Sequence, residues 1–369
     1  MNLDTIRTGL TFDDVLLVPR RSSIRSRSDV SLETSLTKRI RIELPVIAAN
    51  MDTVCETDMA VAMARLGGIG IIHRFLTIES QTAMVAAVKA ASTTEPRTGR
   101  SARGNALLVG AAVGTDHDAL PRSLALVDAG VDVLVLDIAH GHADHAIDTL
   151  GKIKAAHPEV DVIAGNVATR DGAIDLVQAG ADAVKVGVGP GGVCTTRLVA
   201  GVGVPQLTAI NDCAGLTDAN GNPVPVIADG GIRASGDIAK ALAAGASSVM
   251  MGSMLAGTKE SPGELEQSDR GLVKRVRGMA SFEALEARAA REGESIDAEY
   301  FEQRAPEGVE GVVPYRGEVG KLLGSLMAGV RSGMSYSDAR SIAEFWTKAE
   351  FIRVTPSVVA MNRPHATGQ

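Results

Sequence analysis

Ala179-Gly180-Ala181-Asp182-Ala183-Val184-Lys185-Val186-Gly187-Val188-Gly189-Pro190-Gly191-Gly192-Val193-Cys194-Thr195-Thr196-Arg197 contains one whole structural unit. The alanine-rich segment before it has helical period and stops at Gly180, where the backbone turns as helix ends commonly do. The run Ala183–Val188 then reads as a strand, and a glycine-rich loop carrying a thiol follows it. The same helix stop feeding a strand recurs at Ala129-Gly130-Val131-Asp132-Val133 and at Ala244-Gly245-Ala246-Ser247-Ser248. A structural repeat accounts for these glycines without assigning them any chemistry.

Working outward from that unit, the candidate strands are Val46–Ala49, Ile69–Ile72, Leu107–Val113, Val133–Asp137, Val162–Ala164, Ala183–Val188, Val226–Ala228 and Ser248–Met251. Alternation with helical segments predicts an α/β fold, a parallel (β/α)8 TIM barrel rather than a doubly wound sheet. One catalytic barrel domain over residues 1–369 is expected. The segment through Leu44, with Thr11-Phe12-Asp13-Asp14-Val15-Leu16-Leu17-Val18-Pro19 and the basic residues Arg20, Arg21, Arg25 and Arg27, reads as an irregular arm over a barrel end. Residues 92–104 are polar and helix-breaking, a linker or exposed loop. Residues 258–310, rich in charge and weak in strand signals, follow the eighth strand and should form a flap over the catalytic face. Helices over about 319–332 and 337–349 and a loosely packed or intersubunit tail, Phe351–Gln369, complete the expectation.

With 369 residues and 45% hydrophobic content the chain can bury a sizeable core. A net charge of −7 without a basic, aromatic-bearing stripe argues against nucleic acid as a partner. Cys55, Cys194 and Cys213 have neither metal-ligand spacing nor a disulfide framework, and Met1-Asn2-Leu3-Asp4 is no signal peptide. No apolar stretch is long enough to span a membrane. These features together lead us to expect a cytoplasmic protein without membrane contacts.

Active sites of such barrels form at the C-terminal strand ends. There stand Asn50 and Asp52, His73, Gly114, Asp137 with His140, Asn166, Cys194 with Thr196, Asp229-Gly230-Gly231, and Gly252-Ser253. On residue type alone Cys194 is either a small buried hydrophobe or a nucleophile. The loops after the seventh and eighth strands, Gly230–Gly231 and Gly252–Ser253, occupy the usual phosphate position, with Asp229 placed for sugar hydroxyls. Asp137 and Asn166 could simply cap strand ends. His73 and His140 lack zinc-like spacing and read as structural or peripheral.

Six motifs then carry a resemblance: Phe12-Asp13-Asp14-Val15-Leu16, Asn50-Met51-Asp52-Thr53-Val54, Gly187 through Arg197, Gly203-Val204-Pro205-Gln206-Leu207, Asp229-Gly230-Gly231-Ile232 and Arg277-Gly278-Met279. In this order the sequence resembles the IMP dehydrogenase / GMP reductase family over nearly its whole length. The resemblance implies that the Cys194 thiolate adds to C2 of a purine nucleotide, forming a covalent thioimidate. A dehydrogenase then gives hydride to NAD and hydrolyses the intermediate; a reductase expels ammonia from GMP and takes hydride from NADPH, yielding IMP.

Ala298-Glu299-Tyr300 resembles the reductase tripeptide, whose glutamate pairs with the threonine two residues after the nucleophile, here Thr196. The dehydrogenase flap has an Arg-Tyr pair instead. Ala48 through Asp52 and Glu350 through Thr355 are also similar to the reductase versions, whereas Tyr300-Phe301 and Pro306 through Gly311 resemble a dehydrogenase flap. The regulatory cystathionine-synthase-type pair that most dehydrogenases insert near residues 92–104 is absent. The resemblance thus implies a GMP reductase with Cys194, Thr196 and Glu299 catalytic. Asp229 and Asn166 would contact the nucleotide, Gly191, Gly192, Gly230, Gly231, Gly252 and Ser253 its phosphate, and Gly278, Met279 and Glu307 its purine. Asp137 and Tyr300 would contact NADPH. K+ on the carbonyls of Gly189, Gly191 and Cys194, and a homotetramer, are further family expectations. Two positions depart from the pattern: Gly192 replaces the usual serine, and Val276 replaces the tyrosine usual in dehydrogenases. The alternatives are an IMP dehydrogenase and a catalytically silent nucleotide-binding regulator.

Overall fold

A computed structural model describes residues 5–91, 106–269, 271–292 and 305–361. Eight parallel strands close into a barrel: β1 (Val46–Ala48), β2 (Ile69–Ile72), β3 (Val109–Val113), β4 (Val133–Asp137), β5 (Asp161–Val167), β6 (Ala183–Val186), β7 (Val226–Asp229) and β8 (Ser248–Met251). β8 pairs with β1 in the register Val249 to Val46, which completes the ring. Strands covered on both faces need apolar side chains on both, and nearly every barrel-strand residue is buried. The fold is the TIM barrel expected from the strand count. β6 ends two residues earlier than expected. At Gly187 φ is +151°, and a Cβ there would lie 2.2 Å from the Asp229 carbonyl oxygen, so only glycine lets the chain leave the sheet at that point.

The repeated Ala-Gly unit has a common physical basis. After helices Ala119–Asp128, Arg170–Gln178 and Ser235–Ala243, the glycines take φ of +89°, +104° and +113°. In each, the amide after the glycine returns to a carbonyl of the last turn, as Ala181 N does to Leu176 O at 3.0 Å. The chain is thereby aimed into the next strand. Two units add an aspartate anchor. Asp182 Oδ2 accepts from the Val162 amide (2.9 Å) and the Lys154 ammonium (2.7 Å). Asp132 Oδ2 likewise accepts from the Val109 amide (2.9 Å) and from Lys89.

The peripheral segments are more ordered than their composition suggests. Thr34–Ser35 and Arg41–Ile42 form a two-stranded ribbon at the N-terminal barrel end, where Arg39 reaches Asp161 and the Lys38 amide donates to the Asp182 carbonyl. Val15–Leu17 in the arm pairs antiparallel with Phe351–Arg353, so the start of the expected loose tail is tied down as a strand. The flap segment holds a three-stranded antiparallel sheet, Glu266–Ser268, Gly271–Arg277 and Glu310–Pro314, and the helix Phe282–Glu292. Its charged residues had masked the strand pattern. Helices Val319–Tyr336 and Ile342–Lys348 follow. The expected linker at 92–104 lies outside the described residues, and among the described residues no helix is long and apolar enough to cross a membrane.

Asp182 joins two strands and a helix through a nearly buried carboxylate. Replacing it by alanine leaves the Lys154 ammonium only the Val160 carbonyl and deprives the Val162 amide of its acceptor, so Asp182→Ala should lower the unfolding free energy by about 3 kcal/mol. Denaturant titration measures this; an unchanged midpoint would remove the anchor from the account.

Candidate active site

The barrel mouth is organised around a charge inside an apolar strand. Lys185 on β6 is 2% exposed, and its Nζ donates to Asp137 Oδ1 on β4 (2.8 Å), to Asp229 Oδ2 on β7 (3.0 Å) and to Asn166 Oδ1 on β5. Asn166 Nδ2 in turn donates to Asp229 Oδ2 (2.9 Å) and to the Gly187 carbonyl (2.8 Å). Gln206 donates to the backbone carbonyls of Val186 (2.9 Å) and Asp229 (3.0 Å), pinning the ends of β6 and β7. Burial pushes the Asp137 carboxyl up, but the Lys185 charge and hydrogen bond, with Arg74 and Asn50 beside it, outweigh burial and hold it below the usual carboxylate range. Burial likewise disfavours the Lys185 ammonium, and the two carboxylates more than offset it, raising its pKa.

Beyond β6 the thiol loop is fixed mainly through its backbone. Residues 307–309 run beside it: Thr195 N donates to Glu307 O (2.9 Å), and Val309 N donates to Val193 O (3.0 Å). The same segment is held on its other side, Glu307 N to Ala280 O (3.1 Å) and Gly278 N to Val309 O (3.1 Å). Three backbones fit side by side because two glycines meet. A Cβ on Gly278 would lie 2.9 Å from Val193 O and 3.2 Å from Gly308 Cα. This places half-buried Met279 and Glu307 beside Cys194, whose Sγ lies 3.2 Å from Thr196 Oγ1. The flap sheet is clamped to the barrel by Arg277, whose guanidinium donates to both oxygens of fully buried Asp52 after β1.

Beside the thiol, where a Cβ on Gly191 would lie 3.4 Å from Cys194 Cβ, the loops after β6, β7 and β8 converge. A Cβ on Gly230 would lie 3.2 Å from the Gly191 amide, and one on Gly192 3.3 Å from Ser253 Oγ. The expected phosphate residues are thus neighbours, and the serine missing at residue 192 has the Ser253 hydroxyl in its vicinity. On the far side, Arg74 after β2 packs against Gly114 after β3 and acts electrostatically on Asp137. His73 is buried with Nε2 3.1 Å from Glu56 Oε1; His140 is exposed. Among the described residues no three His, Cys, Asp or Glu side chains form a metal-binding group.

The structure therefore brings together Cys194, Thr196, Asn166, Asp137, Asp229, Gly189, Gly191, Gly192, Gly230, Gly231, Gly252, Ser253, Gly278, Met279 and Glu307 around one mouth. Glu299 and Tyr300 lie outside the described residues. The sequence reading missed Lys185, Gln206 and Arg277 as organising groups. Lys185 did carry a signal, since a lone charge in a buried strand needs partners.

A family model described as the IMP dehydrogenase / GMP reductase domain matches residues 9–365. An inosine-5'-monophosphate dehydrogenase of Cryptosporidium parvum is 44% identical, covering 99% of this chain and 97% of that protein. A GMP reductase of Leishmania major is 39% identical over 96% of each. Among solved structures, a GMP reductase cysteine-to-alanine variant from Trypanosoma brucei in complex with guanosine 5'-monophosphate matches with a TM-score of 0.90 and 37% identity, over 98% of each chain.

The three thiols differ in access. Cys55 and Cys213 are buried; burial pushes both up, Cys213 to about 12 with Asp212 adding to the effect, whereas Cys194 is partly exposed. Brief alkylation near neutral pH, followed by peptide mapping, should label Cys194 before the other two. Equal labelling in folded protein would contradict this arrangement.

Proposed function

This chain belongs to the IMP dehydrogenase / GMP reductase family of oxidoreductases, and from that premise we propose that it reduces GMP to IMP. The balanced reaction is GMP, NADPH and two protons giving IMP, ammonium and NADP+. The observation supporting the reductase reading is Ala298-Glu299-Tyr300, which puts a carboxylic acid where a water-splitting enzyme needs arginine. The solved GMP reductase with its nucleotide supports the same direction.

In this reading Asp229 accepts hydrogen bonds from the ribose, the loops at Gly191–Gly192, Gly230–Gly231 and Gly252–Ser253 receive the phosphate, and Gly278, Met279 and Glu307 contact the base. Asn166 orients Asp229. The Cys194 thiolate attacks C2. As the C2–N2 bond breaks, Glu299 acts through Thr196 to deliver the proton that lets the amine leave as ammonia. Thr196 Oγ1 already stands 3.2 Å from the sulfur, so a relay along it would act at the reacting carbon. When bound, NADPH supplies the hydride to C2, after which the C2–S bond breaks to release IMP. The groups near β2–β4 suit such a cofactor: Asp137 is ionised and partly exposed, and the Arg74 Nε is buried without a partner among the described residues. Tyr300 would complete that subsite. K+ would sit on the loop carbonyls of Gly189, Gly191 and Cys194, and assembly as a homotetramer follows the family pattern.

The dehydrogenase reading keeps support of its own, since relatives named as IMP dehydrogenases include two that are 41% and 44% identical. A direct comparison decides between them. Protein given GMP and NADPH should consume NADPH and release ammonia in equal amounts; no such loss, with NADH forming from IMP and NAD, would overturn the reductase reading. Cys194→Ser should lower kcat by about 10^4-fold or more while nucleotide still binds. Glu299→Gln should lower it by roughly 10^2-fold or more with little change in nucleotide affinity; unaffected turnover would remove Glu299 from the mechanism.

A further inference from the structure

Lys185 has a role that the reaction scheme leaves unassigned. An ammonium has three N–H donors, and all three are placed, on Asp137, Asn166 and Asp229. Against the effect of burial, the two carboxylates beside it raise its pKa, so it is a standing charge and no general acid. Its geometry also brings two carboxylates together. Oxygens 2.8 and 3.0 Å from one nitrogen lie within about 6 Å of each other, close enough that without an intervening cation one acid would be strongly raised in pKa. Among the described residues, Arg74 also acts on this pair from the Asp137 side, and Asn50 and Asn166 contribute neutral amides. Among the described residues, Asp229 Oδ1 accepts no side-chain hydrogen bond, while Oδ2 is held by Lys185 and Asn166. One oxygen is thus fixed, and the other remains available as an acceptor.

We propose that Lys185 is a positioning residue that holds Asp229 toward the nucleotide ribose against the repulsion of the adjacent Asp137 carboxylate, so that two acidic acceptors can serve two ligands in one mouth. The inference rests on the ribose assignment made above for Asp229. It does not depend on which reaction follows.

The test is calorimetric binding of IMP and of GMP, without cofactor, between about pH 6 and about pH 8. Each variant is read as its affinity relative to wild type at the same pH, which cancels the titration of the nucleotide's own phosphate near about pH 6. In Lys185→Met the two carboxylates repel, one becomes protonated as pH falls, and a protonated Asp229 is lost as a paired acceptor. Relative affinity should therefore fall by about tenfold or more from the alkaline to the acid end. Lys185→Arg retains the charge and should stay flat. Adding Asp137→Asn to Lys185→Met removes the repulsion and should restore the flat profile.

A flat profile in Lys185→Met, or a double variant as pH-dependent as the single one, overturns the proposal. If Lys185→Met does not fold, the double variant decides: folded and binding with a flat profile supports the proposal, and folded without nucleotide binding overturns it. Failure of the ribose assignment shows separately, as wild-type affinity in Asp229→Asn, and overturns the inference with it.

Discussion

A single buried ammonium ties together the working end of this barrel. Lys185 links the ends of β4, β5 and β7 from its own place on β6. An ion so buried is tolerated only with full pairing, and breaking such a set is far costlier than never having formed it. The charged groups of β4, β6 and β7 are consequently paired with one another, while the nearby Arg74 Nε and Gln206 Oε1 are buried without a hydrogen-bond partner among the described residues. The Gln206 amide extends this order to the backbone, fastening β6 to β7 just before the thiol loop departs.

The thiol loop depends on a different constraint. Its neighbours are backbone strands, laced amide to carbonyl from Val193 and Thr195 through residues 307–309 to the turn at Gly278–Ala280. Side chains larger than hydrogen at Gly278 or Gly308 would push these layers apart. The Arg277–Asp52 ion pair joins the flap sheet to the end of β1. The thiol loop and the segments carrying Met279 and Glu307 thus pack as one layered assembly, although they are far apart in the chain. The residue proposed to choose between expelling ammonia and hydrolysis, Glu299, belongs to the same 258–310 segment. One barrel can serve both family reactions with its nucleophile unchanged.

Much of this was legible from local pattern. The eight strands, the glycine helix stops and the gathering of strand-end residues at one face follow from periodicity and from the geometry of parallel barrels, because each signal lies within a few residues. What escaped was long-range. Arg277 and Asp52 each sit in a recognisable motif, but nothing local pairs residues so far apart. Lys185 was visible as a lone charge between Val184 and Val186, yet its partners come from three other strands. The flap sheet escaped for another reason: exposed antiparallel strands carry charges such as Arg275 and Glu266, which bond across strands and dilute the apolar alternation.

The central claim is that Cys194 forms a covalent bond to C2 of a purine nucleotide, and that GMP can form it by losing its amine. The most direct measurement is mass spectrometry of peptides from protein mixed with GMP and acid-quenched within a turnover. The account predicts the Cys194 peptide carrying the mass of GMP less ammonia. An unmodified Cys194 peptide from protein that converts GMP, or an adduct that arises from IMP with NAD and never from GMP, would contradict it.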